Sequence, residues 1–353
     1  MSEFDGKMIS GIEPYIAGEQ PKDMSYIKLN TNENPYSPSP KVEIAIKKFD
    51  YSALRLYPDP DTNILKRAIS EFERVNCENV FCGNSSDEIL AMAFMAFFSG
   101  KEIIFSDITY GFYPVWCNIF NVKAKIVPLK SDWTIDIENY PENSDGVVIC
   151  NPNAPTGIAL KKIQIEEFVK KNKNSLIICD EAYIDFGGES AVDLSMKHNN
   201  ILLIKTLSKS YSLAGARVGY AVGNAELINT LNKVKNSFNS YTLDRLSIEI
   251  AVAAIKDADY FRNCCRKIIG TRTWISEELR KIGFEVLESL SNFIFASPPK
   301  ISAQNLYLKL KSKGILIRYW NKERISNWVR ISIGTDGEMK ILIDAIKEIL
   351  TNF

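Results

Sequence analysis

The chain has 353 residues, 46% of them hydrophobic, with 43 basic and 43 acidic side chains and so no formal net charge. Domains run to about 100–200 residues, so this length predicts roughly two of them, and the composition excludes a disordered chain or one whose main partner is nucleic acid. The single histidine, His198, excludes histidine-triad hydrolases and multi-histidine zinc sites, so some other group must move protons.

No basic stretch precedes an apolar one at the N-terminus, so no signal peptide is expected. The longest apolar run, Ile89 to Phe98, is far shorter than the ~20 residues of a membrane helix. Seven cysteines show no metal-ligand spacing, and Cys150 and Cys179 sit inside apolar strand patterns. An unspaced, odd set fits a reducing compartment, which predicts a cytoplasmic protein without a metal site.

Residues 1–29 read as an arm, with Glu13-Pro-Tyr-Ile-Ala-Gly18 turn-rich and Ile27-Lys-Leu29 extended. Asn30-Thr-Asn-Glu-Asn-Pro-Tyr-Ser-Pro38 is a loop, Val42 to Phe49 a helix, and Arg55-Leu-Tyr-Pro-Asp-Pro60 a second loop. The next helix carries Ile64, Leu65, Ala68, Ile69 and Phe72 on one face. Strands and helices then alternate. Val80–Cys82 is a strand that runs into Gly83-Asn-Ser-Ser-Asp-Glu88, the cap of an apolar helix expected over Ile89 to Phe98. Strands follow at Ile103–Phe105, Ala124–Val127, Val147–Cys150, Leu176–Cys179 and Ile201–Ile204, with a last one over Val218–Val222. Such alternation predicts an α/β fold, a mostly parallel sheet sandwiched by helices, with functional groups at the strands' carboxyl ends. Beyond Val222 come helices over Ala225–Lys235 and Leu243–Ile282, with a break near Asp257. Short strands (Phe284–Leu287, Phe293–Ala296, Ile315–Ile317, Trp328–Ile333) then alternate with helices Ala303–Lys313 and Glu338–Leu350. We therefore expect a large domain over 30–245 and a small α+β domain over 246–353 that packs with the arm.

The strand-end segments carry the chemistry. Lys209 follows a buried strand and is either a solvated surface lysine or a Schiff-base residue whose amine is freed by desolvation. Gly83–Glu88 is either a plain helix cap or a phosphate site built on helix N–H groups. Asp180 ends an apolar strand, where a carboxylate needs a partner: a structural one, or a protonated heteroaromatic nitrogen. Tyr183, three residues on, can hydrogen-bond the same ligand. Together with Ser208 and with Arg217 eight residues after Lys209, these groups match the needs of pyridoxal 5′-phosphate.

The motifs Asn151-Pro-Asn-Ala-Pro-Thr-Gly157, Asp180-Glu-Ala-Tyr183 and Ser208-Lys209 with Arg217 resemble those of the fold-type-I aminotransferases. Pro14-Tyr15 with Gly18-Glu19, Lys28-Leu-Asn-Thr-Asn-Glu-Asn-Pro-Tyr36 and Arg55-Leu-Tyr-Pro-Asp-Pro60 resemble the histidinol-phosphate aminotransferase family in particular. The resemblance implies a seven-stranded large-domain sheet and a set of roles. Lys209 would bind the cofactor covalently, Asp180 pair with its ring nitrogen and Tyr183 with its ring hydroxyl. Tyr110 would stack on the ring, while the Ser86 and Asp87 amides, Thr206, Ser208 and Arg217 would surround its phosphate. Tyr57 would reach the cofactor of a second subunit, making the protein a homodimer with shared sites. Tyr15, Asn32, Arg318 and Arg330 would hold the substrate, histidinol phosphate, with glutamate and 2-oxoglutarate as the other pair. One departure stands out: the family commonly has Asn immediately before Pro-Thr-Gly, and here that residue is Ala154, so either Asn153 substitutes or Tyr183 acts alone on the ring hydroxyl. Rival readings are a phosphothreonine decarboxylase, an aromatic amino acid aminotransferase and a cofactor-binding regulator. The first looks to need an N-terminal His-Gly-Gly and the last an added DNA-binding segment, neither of which is present.

Overall fold

The computed structural model describes residue 4 and residues 11–21, 26–142 and 144–351. Its strands are β1 (Ile27–Lys28), β2 (Val80–Asn84), β3 (Glu102–Ser106), β4 (Lys123–Val127), β5 (Gly146–Cys150), β6 (Leu176–Asp180), β7 (Ile201–Thr206), β8 (Val218–Gly223), β9 (Glu285–Val286), β10 (Phe293–Ser297), β11 (Ile315–Leu316), β12 (Arg318–Tyr319) and β13 (Val329–Ser332). The helices are α1 (Pro40–Lys48), α2 (Asn63–Glu73), α3 (Ser85–Ala93), α4 (Tyr113–Ile119), α5 (Lys162–Lys171), α6 (Val192–Ser195), α7 (Ala225–Phe238), α8 (Arg245–Ile255), α9 (Ala258–Lys281), α10 (Ala303–Ser312) and α11 (Asp336–Thr351).

The central sheet has seven strands in the order β2-β8-β7-β6-β5-β3-β4. From β7 to β4 the strands are parallel, while β8 runs antiparallel to both β7 and β2. Strands β5, β6 and β7 are nearly continuous apolar runs because helices cover both of their faces. Alternation along β7 sends Leu202 and Ile204 into one core and Ile201 and Leu203 into the other. Order reverses between β5 and β3, which opens the crevice at the carboxyl ends where ligands bind in such sheets.

A second sheet, β12-β13-β10-β9, is antiparallel and accompanies α9, α10 and α11. The arm joins this end of the molecule through β1, which pairs in parallel with β11. Helix starts follow their caps: Ser39 accepts from Lys41 N, Asn224 from Leu227 N, and Asp244 from Ser247 N. Two boundaries differ from expectation. The helix expected to open at Ile89 opens at Ser85, and its last turn, Phe94–Phe98, widens to a π turn. The strand expected over Ile315–Ile317 is two short strands, one pairing with β1 and the other with β13. Among the described residues no helix is long and apolar enough to cross a membrane, and no cluster of metal ligands occurs.

Candidate active site

A cavity of about 830 Å³ lies at the carboxyl end of the central sheet, within the size range of small-molecule sites. It is lined by Lys209, Asp180, Tyr183, Ser86, Asp87, Tyr110, Thr206, Ser208, Arg217, Tyr15, Asn32, Arg318 and Arg330. Thirteen of the fifteen residues expected in the site thus meet in one place, although they come from segments scattered between residues 15 and 330.

Two lysines four residues apart show what the environment decides. Lys205 points to the buried side of β7 and pairs with Glu73 at 2.8 Å and Asp185 at 3.6 Å. Burial alone would lower its pKa, but Asp185, Glu73 and Glu181 outweigh it and keep the ammonium charged. Lys209 has no ion pair among the described residues. Its Nζ donates to Thr31 O at 3.4 Å and sits 5.8 Å from the centre of the Tyr183 ring. Burial and then the Arg330 guanidinium push its pKa down to about 8, against the pull of Asp87 and Glu33. Of the two, Lys209 is the one without an ion-paired carboxylate to hold its proton, the condition a nucleophilic amine needs.

Beside it, the start of α3 forms a cradle. Ser85 adopts a positive φ of 70°, which turns the chain sharply from β2 into the helix, and Glu88 accepts a hydrogen bond from Asn84 N at 2.6 Å. First-turn N–H groups, here those of Ser86 and Asp87, lack intrahelical acceptors. Gly219 on β8 makes the turn possible: a Cβ there would lie 2.5 Å from Ser85 C and 2.5 Å from Ser86 N. Arg217 donates to Asp87 Oδ2 at 3.1 Å, and Tyr110 OH to Asp87 Oδ1 at 2.7 Å. Thr206 Oγ1 donates to Ser208 Oγ at 2.9 Å and accepts from Ser208 N at 3.1 Å, which fixes the hydroxyl pair at the end of β7.

Asp180, at the end of β6, is 3% exposed. Burial pushes its carboxyl up to about 6, while hydrogen bonds from Tyr113 and Ala182 N oppose the rise. Tyr183 OH accepts from Asn32 Nδ2 at 2.9 Å. Asn32 has φ 57°, a left-handed conformation that asparagine tolerates better than most residues. Its neighbours complete a strap over the lysine: Asn34 Nδ2 donates to Lys209 O at 3.1 Å and to Ser210 O at 3.3 Å.

The far wall is cationic. Arg318 and Arg330 stand directly opposite in the β12–β13 register, with Trp320 5.2 Å from each guanidinium. Arg330 donates to Asn30 O at 3.0 Å, and Arg318 to Ile16 O at 3.0 Å and Ala17 O at 3.3 Å. Neither has an acidic partner among the described residues, and Arg330 Nε is buried without any hydrogen-bond partner. Like charges held face to face in this way suit an anionic ligand group. Tyr15 stacks on Phe112, with ring centres 4.3 Å apart, and so brings the arm against the cavity.

Asn153 and Tyr57 are elsewhere. Asn153 does not line the cavity: its Nδ2 donates to Ile108 O at 3.0 Å in the loop after β3 and to Thr156 Oγ1 at 3.1 Å in its own turn. Ala154 lines the cavity instead, while Asn153 Oδ1 is buried without a hydrogen-bond partner. Tyr57 is 76% exposed on the outside of the chain and stacks on Tyr241 at 4.6 Å. Three groups were not anticipated. Asn34 grips the lysine main chain, Tyr113 bonds Asp180, and Arg324 binds Asp107 and Leu129 O at the cavity mouth. The Asn-rich loop did signal special backbone geometry, whereas Tyr113 reads from sequence as an ordinary core aromatic.

Comparisons with known proteins agree with this geometry. A family model described as "Aminotransferase class I and II" matches residues 25–346. Histidinol-phosphate aminotransferase of Clostridium acetobutylicum is 52% identical over 349 residues, 99% of each chain. The protein of the same name from Brachyspira hyodysenteriae is 51% identical over 354 residues, the full length of both. The crystal structure of histidinol-phosphate aminotransferase from Sinorhizobium meliloti in complex with pyridoxal-5′-phosphate matches with a TM-score of 0.90. That match covers 100% of this chain and 99% of that one at 24% identity, a likeness of fold. The chain therefore belongs to the class I and II aminotransferases and, within them, to the histidinol-phosphate aminotransferase family.

Proposed function

We propose that the protein is a pyridoxal-phosphate-dependent transaminase of histidine biosynthesis, which exchanges an amino group between histidinol phosphate and 2-oxoglutarate to give imidazole-acetol phosphate and glutamate. The observation that carries this reading is one cavity holding both a deprotonatable lysine without an ion pair and two arginines without acidic partners among the described residues. The donor set fits the cofactor. A buried carboxylate suits a ring N–H, a phenol its ring hydroxyl, and first-turn amides with Ser208 and Arg217 its phosphate. The phosphate cradle depends on the absence of a side chain at Gly219.

When bound, pyridoxal 5′-phosphate supplies an electron-withdrawing ring that stabilises the electron pair left as the substrate carbon loses its proton. The chain's own groups do the rest. Asp180 would keep a proton on the ring nitrogen, Tyr110 would cover the ring face, and Tyr183, oriented by Asn32, would bond the ring hydroxyl without help from Ala154. Lys209 Nζ would hold the cofactor, and its amine, with the pKa lowered by burial, would serve as the base that moves the proton at the substrate carbon. Arg318 and Arg330 take the substrate phosphate, with Tyr15 and Asn32 lining the same pocket. Histidinol phosphate has no α-carboxylate, so its phosphomethyl arm takes the place that a carboxylate occupies in aminotransferases generally.

The protein works as a cytoplasmic homodimer in which Tyr57 completes the partner's cofactor site. Exposed Tyr51, Leu54, Leu56, Tyr57 and Phe238 support an interface on that face. Two measurements test the proposal. Histidinol phosphate should be transaminated well ahead of phenylalanine, and phosphothreonine should not be decarboxylated; preference for either rival refutes the substrate assignment. Lys209→Ala should abolish turnover, and a mixture of inactive Lys209→Ala and Tyr57→Ala proteins should regain activity through hybrid dimers. Persistent inactivity of properly formed hybrids would refute the shared site.

A further inference from the structure

Asp180 makes its contacts from a closed position. Its Oδ1 accepts from Ala182 N at 3.2 Å, its Oδ2 accepts from Tyr113 OH at 2.8 Å, and it has no ion pair among the described residues. Tyr113 opens α4 just after the cavity-lining Tyr110 and Gly111, yet it does not line the cavity and is fully buried. Its ring is packed between Phe94, 6.3 Å away and stacked, and Phe105, 5.7 Å away and edge-on, with Tyr110 edge-on at 5.7 Å. Held on three sides, the side chain brings its hydroxyl to the Asp180 carboxylate and beside the Cys150 thiol, and of the two the carboxylate is the stronger acceptor for its proton.

We propose that Tyr113 is a positioning residue: its hydroxyl, bonded to Asp180 Oδ2 behind the cavity wall, keeps the carboxylate ionised and aimed so that the shared proton stays on the cofactor ring nitrogen. The proposal rests on the reading that this cavity takes pyridoxal 5′-phosphate. A buried carboxylate left to itself retains its proton, and a carboxylic acid facing a pyridine leaves the ring poorer at withdrawing electrons. A hydrogen bond from a neutral phenol favours the charged form without adding a second charge that would compete with the ring. Asp87 pushes the Asp180 pKa up and Lys209 draws it down, while Cys150, Cys179 and Tyr183 are the neighbouring groups held neutral by burial. Tyr113 thus supplies the hydrogen bond that opposes burial most strongly.

Tyr113→Phe keeps the ring and removes the oxygen, so packing is preserved and the proton location becomes the readout. With ¹⁵N-labelled pyridoxal 5′-phosphate in the holoenzyme, the ring-nitrogen resonance should sit at its protonated position in the parent protein. In the variant it should move toward the unprotonated one, with kcat falling and the KM for histidinol phosphate unchanged. In parallel, ¹³C-carboxyl NMR of the cofactor-free protein, with the Asp180 signal identified by its loss in Asp180→Asn, should show the titration midpoint rise by about one to two pH units. An unmoved ring-nitrogen resonance together with an unmoved midpoint overturns the proposal and reduces Tyr113 to packing. If the parent protein binds no cofactor, the proposed function fails, and the carboxyl titration alone decides whether Tyr113 sets the state of Asp180.

Discussion

Replacing Arg330 with alanine separates ligand binding from fold stability. Arg330 lies against Phe293 at 5.3 Å and Trp320 at 5.2 Å, and its pKa is lowered by burial and, more weakly, by Arg318. Under the proposed function it would be a desolvated cation paired with the substrate's phosphate. Truncating one partner of such a pair costs about 2–5 kcal/mol. Given the burial and the orphaned Nε we expect about 3–4 kcal/mol, or roughly 150- to 900-fold in kcat/KM for histidinol phosphate. Arg318 is anchored by main-chain carbonyls near the cavity mouth and more open to water, so Arg318→Ala should cost about 1–2 kcal/mol, or roughly 5- to 30-fold. The decisive comparison is with unphosphorylated histidinol, whose already poor turnover should change little in either variant. Stability should move the other way. Removing one of two facing like charges without an acidic partner should leave the ligand-free protein unchanged or slightly stabilised in thermal unfolding. Equal losses for phosphorylated and unphosphorylated substrates, or a large loss of stability in Arg318→Ala, would refute this account of the arginine pair.

Other consequences follow from the same geometry. Because the Lys209 pKa is depressed to about 8, borohydride-trapped capture of added pyridoxal 5′-phosphate by the cofactor-free protein should rise with pH through that value. Arg330→Ala should shift this midpoint upward. The unfolded chain holds the Lys209 proton more tightly than the folded one, so this group makes stability rise with pH from about 8 toward the ordinary lysine range. Lys209→Ala should abolish that component of the pH profile. Gly219→Ala places a methyl 2.5 Å from the Ser85 and Ser86 backbone, so the α3 turn must shift. We expect a loss of about 1–3 kcal/mol in chemical denaturation and weaker cofactor binding by equilibrium dialysis. Asn153→Ala should cost about 1–2 kcal/mol through its two lost hydrogen bonds, while kcat per bound cofactor stays at the parent value.

The readable part of the site is the part written in strand ends. β6 and β7 open as apolar runs, so Asp180 and Lys209 had to emerge at the same edge of one sheet, and Arg217 had to return nearby just before β8. What remained unreadable depends on side-chain direction and register. Asn153 sits in the expected turn, but which of Asn153 and Ala154 faces the ligand depends on how that turn is folded. Tyr113 reaches a carboxylate 67 residues away, and local spacing gives no sign of that partner. The early start of α3 was hidden because Gly83–Ser86 looks like a loop; the positive φ of Ser85 and the return bond from Glu88 turn it into a helix entry. Arg318 and Arg330 are twelve residues apart in sequence and become neighbours through antiparallel pairing.

The strap of residues 30–34 has a kinetic consequence. Asn30 O holds Arg330, Thr31 O holds the Lys209 amine, Asn32 holds Tyr183, and Asn34 holds the carbonyls of Lys209 and Ser210. Asn32 is also tied to the second sheet, through Ser332 Oγ at 2.8 Å and Asn292 Nδ2 at 2.9 Å. Arg330 and Lys209, the proposed substrate anchor and proton carrier, are therefore both hydrogen-bonded to one stretch of five residues. Under that proposal a ligand that displaces Arg330 would also disturb the backbone that meets Lys209, so an incorrectly sized substrate would lose turnover as well as affinity.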